Sequence, residues 1–270
     1  MSMLATKFWV EMTWRDFQAA DMREVIAVLP VAAIEQHGPH LPVGVDAYIG
    51  EGYLARVIQR LPSEMPVLFL PAQSIGASLE HSGFPGALSA SNATLIQLWT
   101  DIGQSVARAG CRKLVIINAH GGNSSAIDAV ALELRARCQM LVVKASWSRF
   151  GYPDGIFSPQ ERAHGVHAGD IETSLMLAFR PGQVRMKAAQ QFKSAGQAME
   201  RDFTWLRPNP PAGFGWMMHD LNPEGAVGDA AAASAAKGAA SADYGATAFV
   251  ELLRDVAGFD LARLGDGPLG

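Results

Sequence analysis

The sequence predicts an α/β fold in three layers, a mostly parallel central sheet with helices on both faces. Three observations carry this expectation. Compact apolar runs at Val25–Ile34, Val67–Leu70, Lys113–Ile117 and Met140–Ala145 read as buried strands. Segments with apolar residues at helical spacing lie between them, so strand, loop and helix alternate. Polar and glycine-rich clusters follow the strand ends, where ligands bind in open parallel sheets. The 270 residues are 49% hydrophobic, enough for one large core, and no repeat or linker divides them. Residues 1–270 are therefore read as a single domain.

Taken in order, Thr13 and Asp16 have the spacing of a capping box and open a short amphipathic helix to about Arg23. After the first strand, Ile49, Tyr53, Leu54, Val57 and Ile58 recur at helical spacing between Ala47 and Leu61, and Pro62 ends the pattern. Ser91 or Asn92 caps a helix that closes at Gly110. A further helix runs from Ser124 to about Arg137. From Asp170 the pattern is helical through Leu175, Met176, Leu177 and Phe179, and Pro181 stops it. Gly228-Asp229 reads as the cap of a last, alanine-rich helix ending near Val256. Trp147–Ala163 and Gln183–Pro223 read as irregular stretches, the second made of loops and short strands, that cover the site and shape its pocket.

Composition excludes several functions. A net charge of −4 without a basic run implies neither nucleic acid nor an anionic membrane surface as partner. Cys111 and Cys138 are few and far apart, as expected of buried thiols in a reducing cytosol. Met1–Glu11 lacks the features of a signal peptide, and no apolar stretch reaches the roughly 18 residues of a membrane span. A soluble, cytoplasmic protein is expected.

The chemistry gathers around Ile34-Glu35-Gln36-His37-Gly38-Pro39-His40-Leu41-Pro42, followed by Asp46. Residues two apart in a strand face the same way, so Glu35 and His37 are expected to leave the first strand on one face. Six of the seven histidines (His37, His40, His81, His120, His164 and His167) fall in four loops next to predicted elements, a pattern that points to one site. Glu35, His37, Asp46, His120 and Glu172 would bring three carboxylates and two imidazoles into one cleft. Buried carboxylates repel unless cations compensate them. Two divalent ions sharing one bridging carboxylate would do so, and would turn a bridging water into a nucleophilic hydroxide. The donor set suits Zn or Mn, and also Fe or Co.

His167 precedes the helix that carries Glu172 and reads as a general acid for a leaving nitrogen; the alternative is a supporting or additional ligand. Gly121 and Gly122 would let the backbone pass close to metal or substrate. With Glu80 and His81 of the Gly76–Leu88 loop, and Trp147 at the head of an irregular stretch, they form the candidate substrate-binding set. A Gly-x-Ser-x-Gly elbow, a dinucleotide glycine pattern, a P-loop lysine and metal-ligand cysteine spacing are all missing.

Four segments then match one family in order: Glu35 to Pro42 with Asp46, Glu80-His81 with Phe84-Pro85-Gly86, Asn118-Ala119-His120-Gly121-Gly122-Asn123, and His167-Ala168-Gly169 with Glu172-Thr173-Ser174. Over Glu35 to Ser174 the sequence resembles the creatininase (creatinine amidohydrolase) family. The resemblance implies a cytosolic α/β/α hydrolase of C–N bonds in cyclic amides or formamides, with two divalent metals per chain and a hexameric assembly. It maps metal ligands onto Glu35, His37, the bridging Asp46 and His120, and the catalytic histidine onto His167. The chain departs from creatininase at Gly122, where that enzyme has a metal-binding glutamate. This argues against creatinine as substrate and implies that Glu172 supplies the carboxylate, as both ligand and catalytic group. The reading is a dinuclear metal-dependent hydrolase of a small, cyclic amide. A formamide deformylase or small-peptide hydrolase is the alternative within the family, and a non-catalytic metal-containing binding protein the alternative outside it. Close packing along the alanine-rich helix and the aromatics between Phe203 and Trp216 are expected to serve the hexamer.

Overall fold

A computed structural model describes residues 4–265, so the outermost residues of the 1–270 span lie outside it. In chain order the elements are α1 (Trp14–Ala19), β1 (Ile26–Val31), α2 (Val45–Arg60), β2 (Val67–Phe69), α3 (Asn92–Arg108), β3 (Lys113–Asn118), α4 (Ser124–Cys138) and β4 (Leu141–Ser146). Then come α5 (Pro159–His164), α6 (Asp170–Phe179), β5 (Gln191–Phe192), α7 (Gly196–Asp202), α8 (Met218–Leu221), β6 (Gly228–Asp229) and α9 (Ala235–Gly258). β1 to β4 form one parallel sheet in the order β2-β1-β3-β4.

Side chains alternate across this sheet, and both faces are covered. Ile26, Val28, Val67, Phe69, Val115 and Ile117 pack with α2, α6 and α9 on one face. Ala27, Leu29, Val31, Leu68, Leu114 and Ile116 pack with α3 and α4 on the other. Strands buried on both sides have no polar face to show, which is why they read as unbroken apolar runs. Each fully buried aliphatic side chain stabilises this sandwich by roughly 1.5–3 kcal/mol.

Several boundaries differ from expectation. α1 has the capping box at Thr13 but ends at Ala19, where Ala20 N–H bonds back to Asp16 O. β1 ends at Val31 because Ala32 N–H turns to Gln73 O and Glu35 N–H to Val43 O. Glu35 and His37 therefore lie in a loop stitched to itself, and not on a pleated strand. Ala32 and Ala33 are buried, and Ile34 is partly buried and forms an antiparallel bridge with Leu88. α2 begins at Val45, so Asp46 occupies a helical first turn. Trp147–Ala163 contains α5, opened by Ser158 as cap and Pro159 at the first helical position. Gln183–Pro223 holds two short helices, α7 and α8, besides β5. Gly228-Asp229 is not a helix cap: it pairs antiparallel with β5, and Ser234 caps α9. Cys111 is buried, whereas Cys138, at the end of α4, is partly exposed.

Small residues of α9 serve close packing inside the chain. A Cβ at Gly238 would lie 1.8 Å from Ser174 O in α6, and one at Gly245 would lie 2.6 Å from the Tyr53 ring in α2. Glycine at these two points lets α9 pack closely between α6 and α2. Ser241, Ala242, Ala246, Phe249 and Leu253 are fully buried along it. Among the described residues no helix is long and apolar enough to cross a membrane.

Candidate metal centre

β1 and β3 are neighbours, yet the chain leaves β1 for β2 on one side and β3 for β4 on the other. Loops diverging from adjacent parallel strands open a crevice beyond their C-terminal ends. Glu35 and His37 follow β1 into this crevice and His120 follows β3. Asp46 enters from the first turn of α2, and Glu172 from the first turn of α6.

Side-chain amides tie these loops together. Asn123, fully buried, accepts from Ala77 N–H at 2.9 Å and donates to Ala32 O at 3.0 Å and Asn118 Oδ1 at 3.1 Å. Asn118 Oδ1 also accepts from His120 N–H at 3.0 Å. The loops after β1, β2 and β3 thus share one amide. Gln36 Oε1 accepts from Gly38 N–H and Gln36 Nε2 donates to His81 Nδ1, each at 2.9 Å. Sequence reading gave Gln36, Asn118 and Asn123 no role. Their only signal was adjacency to the histidines, and spacing does not reveal partners on other loops.

Backbone carbonyls set three histidine tautomers, because a carbonyl only accepts. His37 Nδ1–H donates to Glu35 O at 3.0 Å, His120 Nε2–H to Ala77 O at 2.7 Å, and His167 Nε2–H to Gln36 O at 2.7 Å. The second nitrogen of each ring then presents a lone pair to the crevice. His37 Nε2 faces Asp46 Oδ1 at 3.4 Å and Glu172 Oε2 at 3.7 Å. His120 Nδ1 faces Asp46 Oδ2 and Glu35 Oε1, both at 3.3 Å. His167 Nδ1 lies 3.6 Å from Glu35 Oε1, which His81 Nε2 approaches at 3.3 Å. Imidazoles oriented by carbonyls, with free nitrogens converging on carboxylates, are the arrangement of metal-ligating histidines.

The donor atoms fit divalent ions. Glu35 Oε2, His37 Nε2 and Asp46 Oδ2 are buried and make no hydrogen bond. Each such atom would cost about 1–3 kcal/mol if nothing satisfied it. Ligand atoms of Glu35, His37 and His167, of Glu35, Glu80 and His120, and of His37, Asp46 and Glu172 lie within 4.8 Å of one another in each group. Mixed carboxylate and imidazole donors suit Zn or Mn.

The electrostatics express the same demand for positive charge. Burial opposes a proton on His37, but Asp46, Glu172 and Glu35 outweigh it and push the ring up to about 9. His120 is likewise held well above its usual value, burial being outweighed by Asp46 and Glu35. Burial would raise Asp46, yet His37 and His120 hold it well below the carboxylate range. Glu172 is pushed up to about 7 by burial, against the pull of His37. Burial lowers His167 well below the usual value, with the His37 charge adding to it, and burial beside His167 brings His81 down to about 3.

Four of the six clustered histidines meet here: His37, His81, His120 and His167. The His167 ring centroid lies 4.1 Å from that of His37 and 4.3 Å from that of His81. His40 instead sits behind α6, bonded to Thr173 Oγ1 at 2.9 Å and stacked on Phe192. His164 is outside the crevice, paired with Glu200 at 3.1 Å. Trp147, expected at the pocket, is 3% exposed and stacks on Tyr53 at 4.4 Å within the core, beside Phe249. Gly122 lies in a close approach to Ala77 O, His120 and Glu80, whereas Gly121 has open space around it. Glu80 reaches the His120 ring at 3.6 Å, so it stands among the metal-ligand candidates and not apart from them.

Residues 10–253 match the profile of one family, creatininase, described as creatinine amidohydrolase. The chain belongs to the creatininase family. Among relatives, a mycofactocin precursor peptide peptidase of Mycolicibacterium smegmatis is 34% identical over 161 residues, 59% of this chain and 60% of that protein. Creatinine amidohydrolase of Pseudomonas putida is 35% identical over 195 residues, 64% of this chain and 72% of the relative. The alignment thus spans 60% of the length of the M. smegmatis peptidase, under two thirds. A crystal structure of creatinine amidohydrolase superposes with a TM-score of 0.75 at 26% identity, over 95% of this chain and all of the other. A manganese form of creatininase gives 0.74 at 27% identity, over 94% of this chain. The three-layer creatininase architecture is therefore the fold of this chain, and divalent metal binding accompanies it in that solved relative.

Proposed function

We propose that this chain is a metal-dependent amidohydrolase that cleaves a C–N bond in a small, cyclic amide and holds two divalent ions. The observation that carries this reading is Asp46. One of its oxygens faces the free nitrogen of His120 and the other faces the free nitrogen of His37, as a bridging carboxylate requires. Glu35 completes the His120 side and Glu172 the His37 side. Ions held there would supply Lewis acidity toward a carbonyl oxygen and toward water. His167 is placed to move protons at Nδ1, since Gln36 O fixes the hydrogen on Nε2. It takes a proton from the attacking water and returns it to the departing nitrogen. His81, itself held by Gln36, orients Glu35.

Dialysis against a chelator should remove about two ions per chain and abolish hydrolysis, and Zn or Mn should restore it. Full activity in protein shown by elemental analysis to be metal-free would end this reading. A panel of cyclic ureas, lactams, hydantoins, formamides and short peptides identifies the substrate class. Small-peptide hydrolysis is the second reading, favoured by identity to the mycobacterial peptidases. The corresponding cellular form is a cytoplasmic hexamer, for which exposed Phe203, Trp205 and Leu206 offer apolar contacts. Light scattering should give a mass near six chains of 28.8 kDa; a clean monomer at micromolar concentration would exclude the hexamer.

A further inference from the structure

We infer that Glu80 is a ligand of the ion on the His120 side, occupying space that Gly122 leaves open; this rests on the two-ion reading. Glu80 lies in a short turn, Leu79–His81, after β2. Leu79 on this turn is 73% exposed, whereas the side chain of Glu80 is 23% exposed and turned inward. Its Oε1 lies 3.6 Å from His120 Nε2, the nitrogen whose hydrogen goes to Ala77 O. What places Glu80 toward the ion is the cluster its carboxylate shares with donor atoms of Glu35 and His120, all within 4.8 Å of one another. Among the described residues no lysine or arginine pairs with it. Glu80, Glu35 and Asp46 share the single imidazole of His120 as a partner, and three carboxylates around one imidazole are unfavourable unless an ion compensates them. Glu35 Oε2 and Asp46 Oδ2, buried and without hydrogen bonds, mark where such an ion is called for.

Gly122 explains why Glu80 can reach this point. A Cβ at position 122 would stand 2.7 Å from Glu80 Oε1, 2.5 Å from His120 Nε2 and 2.3 Å from Ala77 O. A side chain there is excluded first by the Ala77 backbone and the His120 ring, and it would also crowd the Glu80 carboxylate. With Glu35 and Asp46, Glu80 makes this side oxygen-rich around a single imidazole nitrogen, a donor set suited to Mn.

The test is Mn titration of metal-free protein, read by electron paramagnetic resonance of the free ion, which needs no substrate. The unaltered chain should bind about two ions. Glu80→Gln should keep one tightly and bind the other at least about tenfold more weakly. Glu80→Asp keeps the charge but withdraws it by one methylene, and should weaken the same ion to a smaller degree. Leu79→Ala, on the same turn, should leave both ions bound as before. Two ions held with unchanged affinity in Glu80→Gln overturn the inference while leaving the two-ion reading intact. No ion in the unaltered chain overturns that reading itself. If circular dichroism shows Glu80→Gln unfolded, Glu80→Asp decides: unchanged affinity for both ions then overturns the inference.

Discussion

Glu172→Gln is expected to leave about one divalent ion per chain and almost no turnover. Glu172 stands in the first turn of α6 with Oε2 3.7 Å from the free nitrogen of His37. Without it the His37 side has only His37 and one oxygen of Asp46, and catalytic ions are usually held by three protein ligands. A purely structural role competes with this. Oε2 accepts from Ala168 N–H at 2.6 Å, and Ala168 has a φ of 56°, a left-handed conformation that non-glycine residues seldom adopt. A carboxylate at the start of a helix also gains from its dipole, though by well under ~1 kcal/mol where exposed. Glutamine separates the two roles. Its amide oxygen can still accept from Ala168, so the loop keeps its anchor while the charge is lost. A variant that holds two ions and turns over normally would show Glu172 to be a loop anchor alone.

The sheet was legible because strands covered on both faces leave no polar alternation to misread, and helices between parallel strands have room for caps. Thr13 was read as a cap, and of the two candidates Ser91 and Asn92 it is Ser91 that caps the helix after β2. Glu35, His37, Asp46, His120 and Glu172 could be grouped because each follows a strand or opens a helix, and the topology brings those ends together. What the sequence did not reveal depends on partners remote in the chain. β1 stops at Val31 because Gln73, in another loop, captures the next amide. Trp147 follows a strand just as the histidines do, yet Tyr53 and Phe249 draw it into the core. His40 lies within the same motif as His37 but turns to Thr173 on α6. The break between β6 and α9 was hidden by Ala230–Ala232, whose composition is that of the helix that follows.

His167→Asn should lower kcat by ~10²-fold or more with both ions still bound. The ring is buried, and its Nε2–H is committed to Gln36 O, so Nδ1 is the nitrogen left for chemistry. Nδ1 stands 3.6 Å from Glu35 Oε1, close enough for the ring itself to be a ligand in a group with Glu35 and His37. Two features favour proton transfer. Glu35 Oε1 is already approached by His81 and His120 at 3.3 Å each, so His167 is the most distant of its three imidazoles. His37 and His120 place their free nitrogens against both Asp46 oxygens, whereas no ion pair joins His167 to that bridging residue. An imidazole held neutral by burial, at the edge of the shell, can take a proton and give it back within one turnover. Asparagine can still donate to a carbonyl but cannot carry that proton. A ligand role predicts a different result: the variant would lose an ion together with its activity, and metal analysis of the purified variant decides between the two.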